Sequence, residues 1–81
     1  MAGISGEAQG LAVKILREAK RKRITMGKDP IGVAAAVLYI ACQFKGKNVT
    51  QKEIAGVAEV TEVTIRKRKK ELVEKLNLIA N

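Results

Sequence analysis

The stretch from residue 50 to residue 76, TQKEIAGVAEVTEVTIRKRKKELVEKL, predicts two helices joined by a tight turn, with an unbroken block of positive charge on the second. It opens with the S/T-x-x-E capping box, in which Thr50 and Glu53 satisfy each other's free backbone donors. A short helix is therefore expected from Thr50 to near Glu59. The residues expected to face inward from it are Ile54, Val57 and Ala58.

The following helix is predicted to begin at Thr61, whose side chain can cap it, with Glu62 favoured in the first turn by the helix dipole. At 100° per residue, one stripe of this helix is apolar and must meet the core. That stripe contains Ile65, Leu72 and Leu76. The opposite arc, at i, i+3, i+4 and i+7, contains Val63, Arg66, Lys67 and Lys70.

The outer arc has the chemistry of a surface that faces a DNA groove. Arginine can form two hydrogen bonds with guanine O6 and N7, valine can pack on a thymine methyl group, and lysines suit phosphates. The backbone N–H groups at Thr50 and Thr61 could also hold phosphates. Three features favour a helix-turn-helix unit. Ala55 permits close approach of the two helices, the turn between them is short, and no acid lies between Arg66 and Lys70.

Composition supports a polyanionic partner and disfavours catalysis. Lys and Arg number 16 against 8 Asp and Glu, so the formal net charge is +8 on 81 residues, which favours nucleic acid. Histidine is absent and Cys42 is the one cysteine, so the chain cannot assemble a zinc site of the usual Cys/His type or a Cys/His or Ser/His/Asp nucleophile system. We expect no enzyme activity, no cofactor and no metal.

The remainder of the chain predicts a single small helical domain. An amphipathic helix is expected from Ala8 to about Arg23, then a turn, then a helix from Asp29-Pro30 to Phe44 that is apolar around nearly its whole circumference and so central. Cys42 is expected to be a buried small hydrophobe. The predicted division is a flexible N-terminus at 1–6, one domain at 7–78 and a tail at 79–81.

Two further classes of protein are disfavoured by the central helix. Tyr39 and Phe44 are expected to pack in the core, which argues against a single-strand binder that stacks bases on aromatic side chains. The longest apolar run is shorter than the ~18 residues that a membrane span needs, and no signal-peptide pattern is seen. We therefore expect a soluble, cytoplasmic protein associated with the nucleoid and no membrane partner.

Residues 27–42, GKDPIGVAAAVLYIAC, and 60–66, VTEVTIR, resemble the second cyclin-like repeat of archaeal transcription factor B, a relative of eukaryotic transcription factor IIB. The resemblance covers roughly residues 8–78. It implies an all-α, cyclin-box-like orthogonal bundle that contains a helix-turn-helix and reads the promoter element upstream of TATA. It also implies the TATA-binding protein and RNA polymerase as partners.

Position by position, the resemblance places Val63 and Arg66 on DNA bases, and Thr50 and Gln51 near the DNA backbone. The full set of expected backbone contacts is Thr50, Gln51, Thr61, Thr64, Lys67 and Lys70. Two departures stand out. By the resemblance, the chain is expected to lack the first of the family's five helices, which would expose an apolar groove and favour a homodimer or a fragment. In addition, Lys69 stands where the family usually has Tyr, which predicts looser packing or an added DNA contact.

Two other interpretations stay open. The chain could be a protein-interaction module, binding the TATA-binding protein, polymerase or a second copy of itself through grooves between its helices, with a basic face that is merely solvated. It could also be an architectural DNA binder, which would show steep salt dependence without sequence preference.

Overall fold

A computed structural model describes residues 6–78, which form four α-helices and no strand. They are α1 (Gly6–Arg21), α2 (Pro30–Phe44), α3 (Gln51–Ala58) and α4 (Glu62–Lys75). The radius of gyration is 11.3 Å. The predicted all-α architecture of four main helices is confirmed. The predicted N-terminal segment and C-terminal tail lie outside the described residues, apart from Gly6, which opens α1.

α2, α3 and α4 begin at the capping residues that the sequence predicts, whereas α1 begins at Gly6, two residues before the predicted Ala8. The Asp29 side chain accepts a hydrogen bond from the Ile31 backbone N–H at 3.0 Å, and Pro30 is the first residue of α2, where its missing N–H costs no helical hydrogen bond. α1 ends at Arg21, two residues earlier than predicted, because Arg23 adopts a left-handed conformation with φ 60°. Such a residue cannot continue a right-handed helix.

The predicted capping box at the start of α3 is confirmed. The Thr50 hydroxyl accepts from the Glu53 backbone N–H at 3.1 Å, and Glu53 Oε1 accepts from the Thr50 backbone N–H at 3.4 Å. The inward position of Val57 was wrong, because 60% of this residue is exposed while Ala55 is buried. α3 packs through a stripe centred between Ile54 and Ala55, which rotates Val57 to solvent.

α2 is the central helix, as its composition predicts, and contributes to two core clusters. The first lies between α1, α2 and α4 and is built around Ile15, Val37, Ile40 and Leu72. The second lies between α2, α3 and α4 and contains Ala35, Ile54, Ala55 and Ile65, with Tyr39 packed against it.

Core packing was correctly predicted for Tyr39 and Cys42 but not for Phe44. The Cys42 residue is 0% exposed, and burial raises the pKa of its thiol. Phe44 is 37% exposed. It is the last residue of α2, two residues beyond the buried Cys42, so its side chain lies at the edge of the packed core.

α2 and α4 are in close contact at a glycine of α2. A Cβ atom placed on Gly32 would lie 2.9 Å from Thr64 Cγ2, which is closer than carbon atoms pack in proteins. Gly32 therefore sets the depth to which the first turn of α4 sits on α2, and with it the position of the outer arc.

Candidate nucleic-acid interface

α4 presents its basic arc to solvent. Val63 is 64% exposed, and Arg66, Lys67 and Lys70 are all exposed. On the opposite side Ile65 is 0% and Leu72 2% exposed, so these two residues anchor the helix. The predicted orientation of α4 is confirmed. We call the four exposed residues the outer arc.

The five consecutive cations at 66–70 are not equivalent. Arg68 donates a hydrogen bond to Glu71 Oε1 at 2.6 Å. The Lys69 ammonium lies 5.2 Å from the centre of the Tyr39 ring, within the range of a cation–π interaction. Within residues 6–78, no carboxylate pairs with Arg66, Lys67 or Lys70. Three of the five charges thus remain for an external anion.

Glu71 ties α4 to the rest of the domain beside the outer arc. Its carboxylate bonds Arg68 and also lies 3.9 Å from the Lys28 ammonium, in the connection before α2. Burial alone would raise the pKa of Glu71, but the hydrogen bond from Arg68 and the charges of Arg68, Lys28 and Lys75 outweigh it and lower that pKa. The carboxylate is therefore ionised at neutral pH and neutralises Arg68 rather than the arc.

An exposed acid limits the arc at its C-terminal end, which the sequence interpretation missed. Glu74 lies at i+4 from Lys70 and i+7 from Lys67, a spacing that puts it on the same side of α4. It also borders a shallow depression of about 300 Å³ together with Arg66, Lys69, Lys70 and Val73. A polyanion is therefore favoured more against the N-terminal half of α4 than at the C-terminal end of the arc.

The threonines at the start of α4 serve the fold as well as the surface. The Thr61 side chain accepts from the Thr64 backbone N–H at 3.1 Å, and the two hydroxyl oxygens are 3.0 Å apart. Thr64 is half-buried, with its methyl group facing Gly32. The first-turn N–H groups of Glu62 and Val63 have no intrahelical acceptor and suit a phosphate better than either hydroxyl does.

The other predicted backbone contacts lie at the start of α3, where a second basic segment was missed. Thr50 is exposed and Gln51 half-buried. Three exposed lysines flank them in the chain, at Lys45, Lys47 and Lys52. Their spacing is irregular and spans a turn, so helical periodicity did not reveal them, although a count of charges over 45–52 would have.

The part of the chain that the structure describes holds no group of three or more potential metal ligands among His, Cys, Asp and Glu. None of the four helices is long and apolar enough to cross a bilayer.

Comparison with known proteins identifies relatives over nearly the whole chain. The family model described as "Transcription factor TFIIB repeat" matches residues 2–75. The chain is 57% identical over 76 residues to transcription initiation factor IIB of Methanopyrus kandleri, 54% to transcription initiation factor IIB 1 of Thermococcus kodakarensis and 53% to transcription initiation factor IIB of Archaeoglobus fulgidus. Each alignment covers 94% of this chain but 23–25% of the relative, so the chain spans about a quarter of the length of these relatives. Because the family model matches most of its length, the chain belongs to the transcription factor TFIIB repeat family.

Proposed function

We propose that this chain is a sequence-selective double-stranded DNA-binding module of archaeal transcription initiation. α3 and α4 act as a helix-turn-helix, with α4 in the major groove of the promoter element upstream of TATA. The observation that carries the proposal is the outer arc of α4, where one exposed valine and three cations point away from the core. None of the three cations has a carboxylate partner within residues 6–78. Membership of the TFIIB repeat family supports the setting.

The roles follow from side-chain chemistry. Arg66 reads a guanine edge and Val63 contacts a thymine methyl group, because both lie in the first half of α4, the part of a recognition helix that reaches base edges. Lys67 and Lys70 contact phosphates. Thr50, Gln51, Thr61 and Thr64 border the DNA backbone at the two helix N-termini, where backbone N–H groups attract phosphate.

The TATA-binding protein and RNA polymerase are the proposed protein partners, and the chain acts on chromosomal DNA in the cytoplasm. These proposals follow from the resemblance of residues 27–42 and 60–66 to archaeal transcription factor B. A pure protein-interaction module is the competing function, favoured by the apolar groove described below. Under that function, partner binding would survive neutralisation of the outer arc.

The test is to titrate labelled duplexes, with and without the upstream element, at about 50 and 200 mM salt. Arg66→Ala should cost about 1–3 kcal/mol on the cognate duplex and relax preference at one base pair. Lys70→Ala should weaken all duplexes alike and lower the salt slope by about 0.9. Fluorescence anisotropy measures both effects.

Arg17→Ala is the matched control, because Arg17 is an exposed cation on α1. It removes the same charge as Arg66→Ala and should leave base preference unchanged. Equal losses on cognate and scrambled duplexes for Arg66→Ala would refute base reading and favour an architectural binder. Undiminished DNA binding by an Arg66, Lys67 and Lys70 triple alanine variant would refute the interface altogether.

A further inference from the structure

An apolar groove lies away from the outer arc, between the end of α1 and the start of α2. Its volume is about 360 Å³. The walls are apolar, and two lysines stand at the rim. The wall residues used below are Leu16, Pro30, Val33 and Ala34, and the rim residues are Lys20 and Lys28.

The groove borders an exposed part of the first turns of α2. Ile31 is 55% exposed and Ala34 is exposed, whereas Leu38, one turn further on, is half-buried and packs against the second core cluster. The i, i+3 spacing of Ile31 and Ala34 puts them on one side of α2, whereas Ala36 and Ile40 face the opposite side, in the core with α1 and α4. Together with the groove, this exposed apolar surface suits the apolar face of a second helix.

The charge at the rim selects the partner. Lys20 is exposed and has no carboxylate within 4.0 Å in the described chain, because Glu18 pairs instead with Arg21 and Lys22. The other rim lysine, Lys28, lies 3.9 Å from the Glu71 carboxylate, which also pairs with Arg68. Its ammonium group can still donate further hydrogen bonds. The groove thus combines an apolar surface with two nearby ammonium groups.

A second copy of the chain is a poor occupant by the same reasoning. Each copy has a net charge of +8, and an interface formed by the same surface on both copies would bring Lys20 and Lys28 of one copy near those of the other. Like charges placed together across an interface oppose association. An acidic partner would instead bring carboxylates close to these lysines, which favours association.

We propose that this groove and the adjoining face of α2 bind an amphipathic helical segment of a protein partner, with an apolar face flanked by Asp and Glu. The mode is helix-in-groove recognition, with apolar anchors at i, i+3, i+4 and i+7. The site is separate from the outer arc and does not depend on the DNA-binding function.

The experiment uses the 81-residue chain and two labelled synthetic helical peptides. Both carry Leu at the four anchor positions, and they differ in having Glu or Lys at every flanking position. We expect saturable binding of the Glu peptide, measured by fluorescence anisotropy, with an affinity at least about tenfold higher than that of the Lys peptide. Lys20→Glu should reverse that order of preference. Ala34→Gln places a larger side chain in the groove while keeping a good helix former, and it should weaken binding of the Glu peptide at least about tenfold.

Lys52→Glu is the matched control, because it makes the same charge change at an exposed position of α3. It should leave the Glu peptide within about twofold of its original affinity, on a scale where tenfold is about 1.4 kcal/mol. Circular dichroism and thermal melting establish that each variant is folded. Loss of Glu-peptide binding with Lys52→Glu equal to that with Lys20→Glu would overturn the proposal, as would equal binding of both peptides.

Two further results would also overturn it. One is the absence of saturable Glu-peptide binding at about 1 mM peptide. The other is a dimer in sedimentation velocity that Ala34→Gln dissociates, since that would make the second copy the occupant and would confirm the self-association predicted from the sequence.

Discussion

At the scale of single residues, the contact between Gly32 and Thr64 sets how deeply α4 sits on α2. The missing Cβ of Gly32 leaves room for Thr64 Cγ2, which would otherwise be 2.9 Å away. The Thr64 side chain is held in place by the contact of its hydroxyl with that of Thr61 at 3.0 Å. Accommodation of a larger residue must therefore displace the helix.

Gly32→Ala is expected to destabilise the domain despite its better helix propensity. Overpacking costs about 1–3 kcal/mol and the gain from replacing a helical glycine is about 0.5–1 kcal/mol, so a net loss of about 1 kcal/mol is expected. Urea unfolding followed by circular dichroism measures it. A midpoint at or above that of the unmodified protein would show that the contact is not tight.

The double variant Gly32→Ala/Thr64→Ser is the internal control. Serine keeps the hydroxyl beside Thr61 and removes the methyl group, so the new alanine fills the space. The double variant should be more stable than either single variant, with a coupling of about 1 kcal/mol or more. Additive losses would instead place the cost of Gly32→Ala outside this contact.

Individual side chains show where prediction from the sequence was limited. Ile65 and Leu72 were correctly placed in the core because they lie on the stripe opposite a continuous run of charge. Val57 was misplaced, because α3 has only eight residues and its apolar positions allow two rotations about its axis. The rotation that occurs depends on α2 and α4, which a local pattern does not contain.

At the scale of the helix, the basic run of α4 is divided by its neighbours. Arg68 pairs with Glu71, and Lys69 lies over the Tyr39 ring. The sequence predicted that Lys69 would loosen packing or add a DNA contact. The observed position gives its ammonium a ring partner contributed by α2, which spacing along α4 alone could not reveal.

Lys69→Met is expected to separate the two roles of that lysine. Methionine keeps the unbranched stem but not the charge, so the variant should lose the cation–π contribution of about 0.5–1 kcal/mol. Its DNA salt slope should stay near that of the unmodified protein, whereas Lys70→Ala lowers it by about 0.9. Thermal unfolding and salt-dependent anisotropy give the two readouts. A slope as low as that of Lys70→Ala would make Lys69 a phosphate contact.

Helix boundaries were more predictable than helix packing. Asp29, Thr50 and Thr61 each cap a helix as predicted, because capping uses hydrogen bonds within four residues of the cap. The left-handed residues that end α1 and α3, Arg23 and Glu59, are not of the types that favour this conformation. The predicted ends, about Arg23 and near Glu59, therefore lie two residues beyond the end of α1 and one residue beyond the end of α3.

At the scale of the whole molecule, Glu71 joins parts of the chain that are distant in sequence. It accepts from Arg68 within α4 and lies 3.9 Å from Lys28 in the connection between α1 and α2. In a domain of 81 residues with a net charge of +8, one carboxylate between two cations offsets part of the self-repulsion of the folded state. Acid should remove that contribution.

Glu71→Gln is expected to reduce stability at neutral pH and to have little effect in acid. The pKa of Glu71 is lower in the folded protein than its ordinary value of 4.5, so its contribution is complete above that value and is lost as the pH falls through the folded pKa. The loss at pH 7 should be about 0.5–1 kcal/mol, since the group is partly exposed. Melting temperatures from pH 7 to about pH 3 should show the two proteins converging below about pH 4.5. Glu74→Gln is the control, because Glu74 is an exposed acid without an ion pair in the described chain, and it should show no such convergence. A melting-temperature difference for Glu71→Gln that stays constant with pH would assign its effect to packing rather than charge.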